Sequence, residues 1–277
     1  MTTTARDRVP AASRAGAARA SRLPRWVPAL EFWLRVYRRS WRGTVFGGFV
    51  GPLLYLGSLG YGLGRLVDDG GGNGVGVAYA AFVAPGLLAA NAMQTAVGES
   101  TYPVLGAVKW QRQYLAMLAT PLGVPDVLLG HVAFLVLRLV LVTVPFVVAG
   151  ALLGAFTTPW VALAALVAVL AGVVHALPVM AFAVRASDDI GFSMIFRFGV
   201  IPMFLFAGTF FPADELPPVL RPVAWATPLW HATTLCRDLS LGSARWGTGL
   251  AHLAYLTAWL AAGAWLALRA YTRRLAD

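Results

Sequence analysis

The chain has 277 residues, of which 58% are apolar and 12% charged, and its mean hydropathy is +0.69. Soluble domains carry about 25% charged residues, so this one cannot coat a globule of its size with water-seeking surface; a soluble enzyme and a disordered chain are both excluded. The net charge of +10 is no nucleic-acid footprint, because ten arginines set against Asp7 and Glu31 put +8 of it into the first 42 residues.

Two rare residues exclude more. A single cysteine, Cys236, allows no internal disulfide and no multi-cysteine zinc pattern. The single lysine, Lys109, is followed by Trp110 and preceded three residues earlier by Gly106, so there is no G-x-x-x-x-G-K-[ST] loop to hold nucleotide phosphates.

Residues 1–26 mix six arginines with Ala, Ser and Thr and are followed by no signal-peptide core. They read as a disordered basic tail, with an organellar transit peptide as the other reading of that composition. In 27–42, Leu30, Trp33, Leu34, Tyr37 and Trp41 recur at helical spacing opposite Arg35, Arg38, Arg39 and Arg42. This predicts an amphipathic helix suited to a headgroup layer or to a partner protein.

Six apolar runs follow, at about 44–64, 77–97, 127–153, 159–183, 190–211 and 249–268. Each reaches the roughly 20 residues that a helix needs to cross a bilayer. The expected fold is therefore an all-α integral membrane protein with six transmembrane helices, in which internal Gly and Pro mark kinks or close contacts. Sixteen of the 22 basic residues fall in segments that alternate onto one side; Arg65, Arg221, Arg237 and Arg245 face the other. Both termini are thus expected in the cytoplasm.

Between the runs, 65–76 reads as a flexible turn. The 99–126 loop holds a helical stretch at about 104–119, where Trp110, Tyr114, Met117 and Leu118 form an apolar stripe beside Lys109 and Arg112. That stripe fits either the membrane surface or a groove on a soluble partner. Segment 212–248 is too polar to span and too apolar for a free loop. Two short helices broken at Thr227-Pro228, dipping into the interface as a re-entrant hairpin, account for both properties.

Arg138 falls 11 residues into its run, which puts it about 16 Å deep at 1.5 Å per residue. Such a charge either faces a partner or wet cavity, or makes structural bonds to carbonyls. Arg197 is shallower and can snorkel toward Asp188 or Asp189. The four histidines show no metal-binding spacing, and a membrane-embedded lipid enzyme has no local support.

The stretches PGLLAANAMQTAVGEST, KWQRQYLAMLATPLGVPDVLLG and PMFLFAGTFFPADELPPVLRPVAWATPLWHATTLCRDLSLG resemble the ABC-2 type permeases. The branch they are most similar to comprises nodulation lipo-oligosaccharide exporter permeases and their daunorubicin-resistance relatives. The resemblance covers roughly 31–270. It implies an N-terminal interface helix, a cytoplasmic coupling helix between spans two and three, and an outer re-entrant hairpin before span six. By that resemblance Glu99, Lys109, Trp110, Arg112, Tyr114 and Leu118 would meet a P-loop ATPase subunit, which would bind ATP and Mg; this chain itself would need no cofactor. Leu216, Trp225, Pro228, Trp230 and His231 would form the outer gate. Phe49, Tyr55, Phe196 and Phe204 would line a substrate path between spans one and five. Two permease copies, favoured as a homodimer, would pair over two ATPase subunits in the inner membrane, surrounded by lipid, to export a glycolipid, lipo-oligosaccharide or hydrophobic drug. A lipid-linked polysaccharide is the alternative cargo.

Overall fold

The computed structural model describes residues 24–39, 41–69 and 77–276, and these form helices with no strand among them. The expected tail up to residue 23 and the Gly-rich turn at 70–76 lie outside the described residues, as does the side chain of Phe49. Among the described residues, four helical stretches are long and apolar enough to cross a membrane: Tyr79–Trp110, Val124–Leu152, Val161–Ala183 and Trp246–Leu275. They coincide with the second, third, fourth and sixth apolar runs.

The first and fifth runs are built differently. The first is α2 (Trp41–Leu56), a π-helical turn (Gly57–Leu63) and α3 (Gly64–Asp69). The fifth is α9 (Ile190–Met194), a π turn (Ile195–Val200) and α10 (Ile201–Phe206). Pro202 has no N–H to offer the preceding turn, and widening the helix to a π turn is one way to absorb that loss. The fifth run is therefore a helix of 17 residues, ending at Phe206 rather than 211.

The centre of the bundle is α4 (Tyr79–Ser100), whose residues are mostly buried, many of them alanine. Around it pack α7 (Val124–Leu152), α8 (Val161–Ala183) and α12 (Pro228–Leu241), with α13 (Trp246–Leu275) outside α8. Without a hydrophobic force to drive helix association in lipid, close approach through small residues supplies the packing energy. Gly86 shows how close: a Cβ there would stand 2.9 Å from the Thr209 carbonyl oxygen.

The amphipathic helix is shorter than its sequence pattern. α1 (Val27–Tyr37) ends before Trp41, which begins α2. Its buried residues Ala29 and Trp33 turn into the protein's own α7. The Trp33 ring stacks on His131 at 4.2 Å, and a Cβ on Gly130 would fall 2.9 Å from the Leu30 nitrogen.

The stretch predicted as one helix over 104–119 is three pieces: α5 (Tyr102–Leu105), a π turn (Gly106–Trp110) and α6 (Gln113–Leu118). Arg112 breaks it with a left-handed backbone, φ 50°, a conformation that costs a non-glycine residue energy. At the opposite end of the bundle, α11 (Arg221–Trp225) and α12 flank the Thr227-Pro228 break. The Thr227 hydroxyl caps α12 by accepting from the Trp230 N–H at 3.3 Å, and Gly242 closes it with φ +71°.

Candidate functional site

A cleft of about 270 Å³ opens between α2, α4, α7 and α10. Its base is polar: Thr44 of α2, Arg138 of α7, and Asn91, Gln94 and Thr95 of α4. The last three repeat at i, i+3 and i+4, so they share one helix face, and the same stripe runs on to Glu99. Above them the walls are apolar, formed by Tyr55, Leu87, Val142, Phe146 and Phe204. Gly43 and Gly51 leave the α2 wall open: a Cβ at either would meet nothing within 4 Å.

Arg138 is fixed from several sides. Its guanidinium forms an ion pair with Glu99 and donates to the Thr44 hydroxyl, and it lies 4.9 Å over the Tyr37 ring. Side-chain exposure is 15% for Arg138 and 25% for Glu99, so each charge answers the other away from bulk water. Glu99 is next to the last residue of α4. Arg138 therefore stands level with the end of α4, not with its middle, because the turns of α7 before it are covered by α1 and α6. Glu99 itself, expected to meet an ATPase, faces Arg138.

A second polar cluster lies below the first. The Tyr114 hydroxyl bridges His131 Nδ1 at 2.5 Å and the Tyr271 hydroxyl at 3.1 Å. All three residues are buried, beneath the Trp33 ring. Burial, reinforced by Tyr271, pushes the Tyr114 phenol well above its ordinary 10, so it stays protonated as donor and acceptor. Tyr114 and Met117 were expected on an exposed stripe, and the structure buries both. The left-handed turn at Arg112 rotates α6 so that this face packs on α7 and α13. What remains exposed is Trp110 at 64%, Leu115, Arg112 and Lys109; Leu118 is half-buried. Lys109 also donates to the Ser187 carbonyl in the 184–189 loop.

At the other end stands Arg237 of α12, which in the sequence counts only among the basic residues of the outer side. It is buried. It donates to the Phe82 carbonyl at 3.1 Å and the Gly208 carbonyl at 2.7 Å, with its guanidinium 3.8 Å from the Phe82 ring centre. Burial pulls its pKa down to about 10, which leaves it charged at neutral pH. Tyr79 adds a hydroxyl bond to the Phe210 carbonyl at 3.3 Å. The segment after α10 is thus tied to α4 and α12. Leu216 and Pro228 are buried here, while Trp225 is exposed and lies 6.3 Å from Trp230. His231 stacks on Tyr255 at 3.8 Å and meets His252 Nδ1 to Nδ1 at 2.8 Å, a pairing invisible in the sequence spacing. Among the described residues no group of three or more His, Cys, Asp or Glu could hold a metal.

The sequence pattern of the ABC-2 type transporter family matches residues 31–240. The chain belongs to that family. It is 34% identical over 229 residues to Nodulation protein J of Rhizobium leguminosarum bv. trifolii, covering 76% of this chain and 81% of the relative. It is 31% identical over 252 residues to Nodulation protein J of Rhizobium meliloti strain 1021, covering 88% and 94%. No solved structure gives a significant match. An ABC-2 chain is the membrane subunit of a transporter, in general partnered by an ATP-binding subunit, and the apolar helices make it a multi-pass membrane protein.

For this ABC-2 chain, the residues expected along a substrate path divide. Tyr55 and Phe204 line the cleft, half-buried Phe196 does not, and the Phe49 side chain is outside the described residues. Arg197 is exposed on its π turn and makes no ion pair with Asp188 or Asp189 among the described residues. Asn91, Gln94 and Thr95 escaped notice. Their signal was present as polar residues at i, i+3 and i+4 inside an otherwise apolar run.

Proposed function

We propose that this chain is the permease subunit of an exporter that moves a lipid-like amphiphile across the cell membrane, driven by a separate P-loop ATPase. One observation carries the reading: the cleft is polar at its base and apolar on its walls, and it lies between the first and fifth apolar runs. An amphiphile has that same division. Six crossings fit once the two π-containing helices are counted, with both termini in the cytoplasm of an inner-membrane protein. A homodimer over two ATPase copies completes the machine. A glycolipid, a lipo-oligosaccharide or a hydrophobic drug would suit such a cleft; a lipid-linked polysaccharide is the second cargo.

The mechanism follows from how the two clusters connect. The exposed side of the 109–115 segment, with Trp110, Arg112 and Leu115, is available to a partner that closes on ATP. A push there reaches Tyr114, which is bonded to His131 and Tyr271. His131 and Arg138 are two turns apart on α7, about 10 Å along its axis. Movement of α6 therefore moves the wall of the cleft and the ion pair at its base. Filling the cleft tests this reading. Gly51→Trp adds an indole to the cleft wall where a Cβ meets nothing within 4 Å, so the protein should still insert and fold while export of an amphiphile from inverted vesicles falls at least tenfold. Undiminished export by that variant rules the cleft out as the path.

A further inference from the structure

The cleft holds three side chains whose bonding capacity is unspent. Asn91, Gln94 and Thr95 face it together and are half-buried, and among the described residues none of the three makes a hydrogen bond. The two amides each offer two donors and an acceptor, and the threonine hydroxyl offers both roles. In a membrane helix such groups are costly unless something answers them, and polar residues at this depth mark pathways by default. The neighbouring charge is in the opposite condition. Arg138 is paired with Glu99, donates to Thr44 and lies over the Tyr37 ring, while its buried Nε is left without a partner. The pair is net neutral, so an anionic head meets no unopposed positive charge unless it displaces Glu99 and leaves that carboxylate unpaired, and a cationic head would meet Arg138 itself.

The size of the space limits what enters. A volume of about 270 Å³ is just under the roughly 300–1,000 Å³ of pockets that enclose a whole drug-sized ligand. It therefore takes the head of an amphiphile while the tail runs along Tyr55 and Phe204 toward lipid.

We infer that Asn91, Gln94 and Thr95 are the residues that read the head group, and that they select uncharged heads bearing hydroxyls or amides over anionic ones. This rests on the amphiphile reading above and adds to it a rule of selection. Both partners of each bond are neutral, so recognition should be nearly independent of ionic strength, unlike capture of an anion by a free arginine.

The test uses the full chain in phosphatidylcholine nanodiscs, with dodecyl maltoside, dodecyl phosphate and dodecanol as probes below their micelle concentrations. Binding to the Gly51→Trp variant serves as the background for partition into lipid. Above that background the native chain should bind the maltoside at least tenfold more tightly than the phosphate. Asn91→Leu and Gln94→Leu replace an amide by a branched apolar side chain that suits a membrane helix; each should weaken the maltoside about tenfold and leave dodecanol unchanged. Phosphate bound as tightly as maltoside by the native chain, or maltoside binding unmoved by either leucine variant, overturns the selection rule while leaving the amphiphile reading in place. If no probe binds above background, the amphiphile reading falls and the selection rule falls with it.

Discussion

The two polar regions on α7 differ in one respect, and the difference separates structure from function. Around Tyr114, His131 and Tyr271 the polar groups face inward and are bonded to one another under an aromatic lid. In the cleft, two turns along the same helix, one ion pair is closed on itself and three neutral side chains are left open. A closed network adds rigidity, and truncating any member leaves an orphan in low dielectric. An open set stabilises nothing by itself and leaves its donors and acceptors free for a ligand. Substitution should therefore weaken the fold in the first region and weaken binding in the second.

The largest effect should come from the ion pair that borders both regions. Arg138→Ala strands the Glu99 carboxylate and should lower stability by about 3–5 kcal/mol, read as a fall in unfolding temperature in detergent. Removing both partners, as Arg138→Met with Glu99→Leu, should recover most of that loss; a double variant as unstable as the single one would break the account of a closed pair. Tyr114→Phe comes next. It leaves His131 Nδ1 and the Tyr271 hydroxyl without their bridge and should cost about 1–3 kcal/mol. The hydroxyl is buried, so a variant as stable as the native chain would show that the cluster is not closed.

Gly86→Ala probes the opposite end of the bundle. Its Cβ would press on the backbone at Thr209, beside Arg237, and overpacking of this kind costs about 1–3 kcal/mol. The smallest change in stability is expected for Arg112→Glu, within about 0.5 kcal/mol. Its guanidinium is exposed, so a charge reversal should leave folding alone while uncoupling ATP hydrolysis from export in the assembled transporter. Retained coupling would move the partner's contact away from this segment. Asn91→Leu completes the comparison from the other side: unchanged or slightly higher stability, with loss of head-group binding.

Much of this was written in local sequence. The four long apolar runs declare their helices by length alone, and Thr227-Pro228 announces the start of α12 through capping chemistry. The limits of local reading show at particular residues. Glu99 and Arg138 are 39 positions apart, and only the crossing of α4 and α7 brings them together. Tyr114 sits in an apolar stripe whose spacing is right for a helix, but the stripe cannot say which way it faces; the left-handed residue at Arg112 decides that. Arg237 was legible only as an outer-side cation, because its burial depends on carbonyls supplied by α4 and by the segment after α10. The π turns leave no periodic mark that a 3.6-residue pattern would reveal.

The contact between α1 and α7 at Gly130 has a bearing on the surrounding lipid. An amphipathic helix at a membrane surface takes its depth and tilt from the leaflet it lies in. Here α1 meets α7 at Gly130 through the Ala29 methyl group and the Leu30 backbone, so little more than one methyl lies between the two chains to absorb a shift. A change in leaflet thickness or headgroup crowding that tilted α1 would be handed on to the helix that bears Arg138. With α1 at the membrane surface, as its sequence pattern proposes, the bilayer would act as an effector of the cleft as well as its solvent, and the same chain should run at different rates in thin and thick membranes.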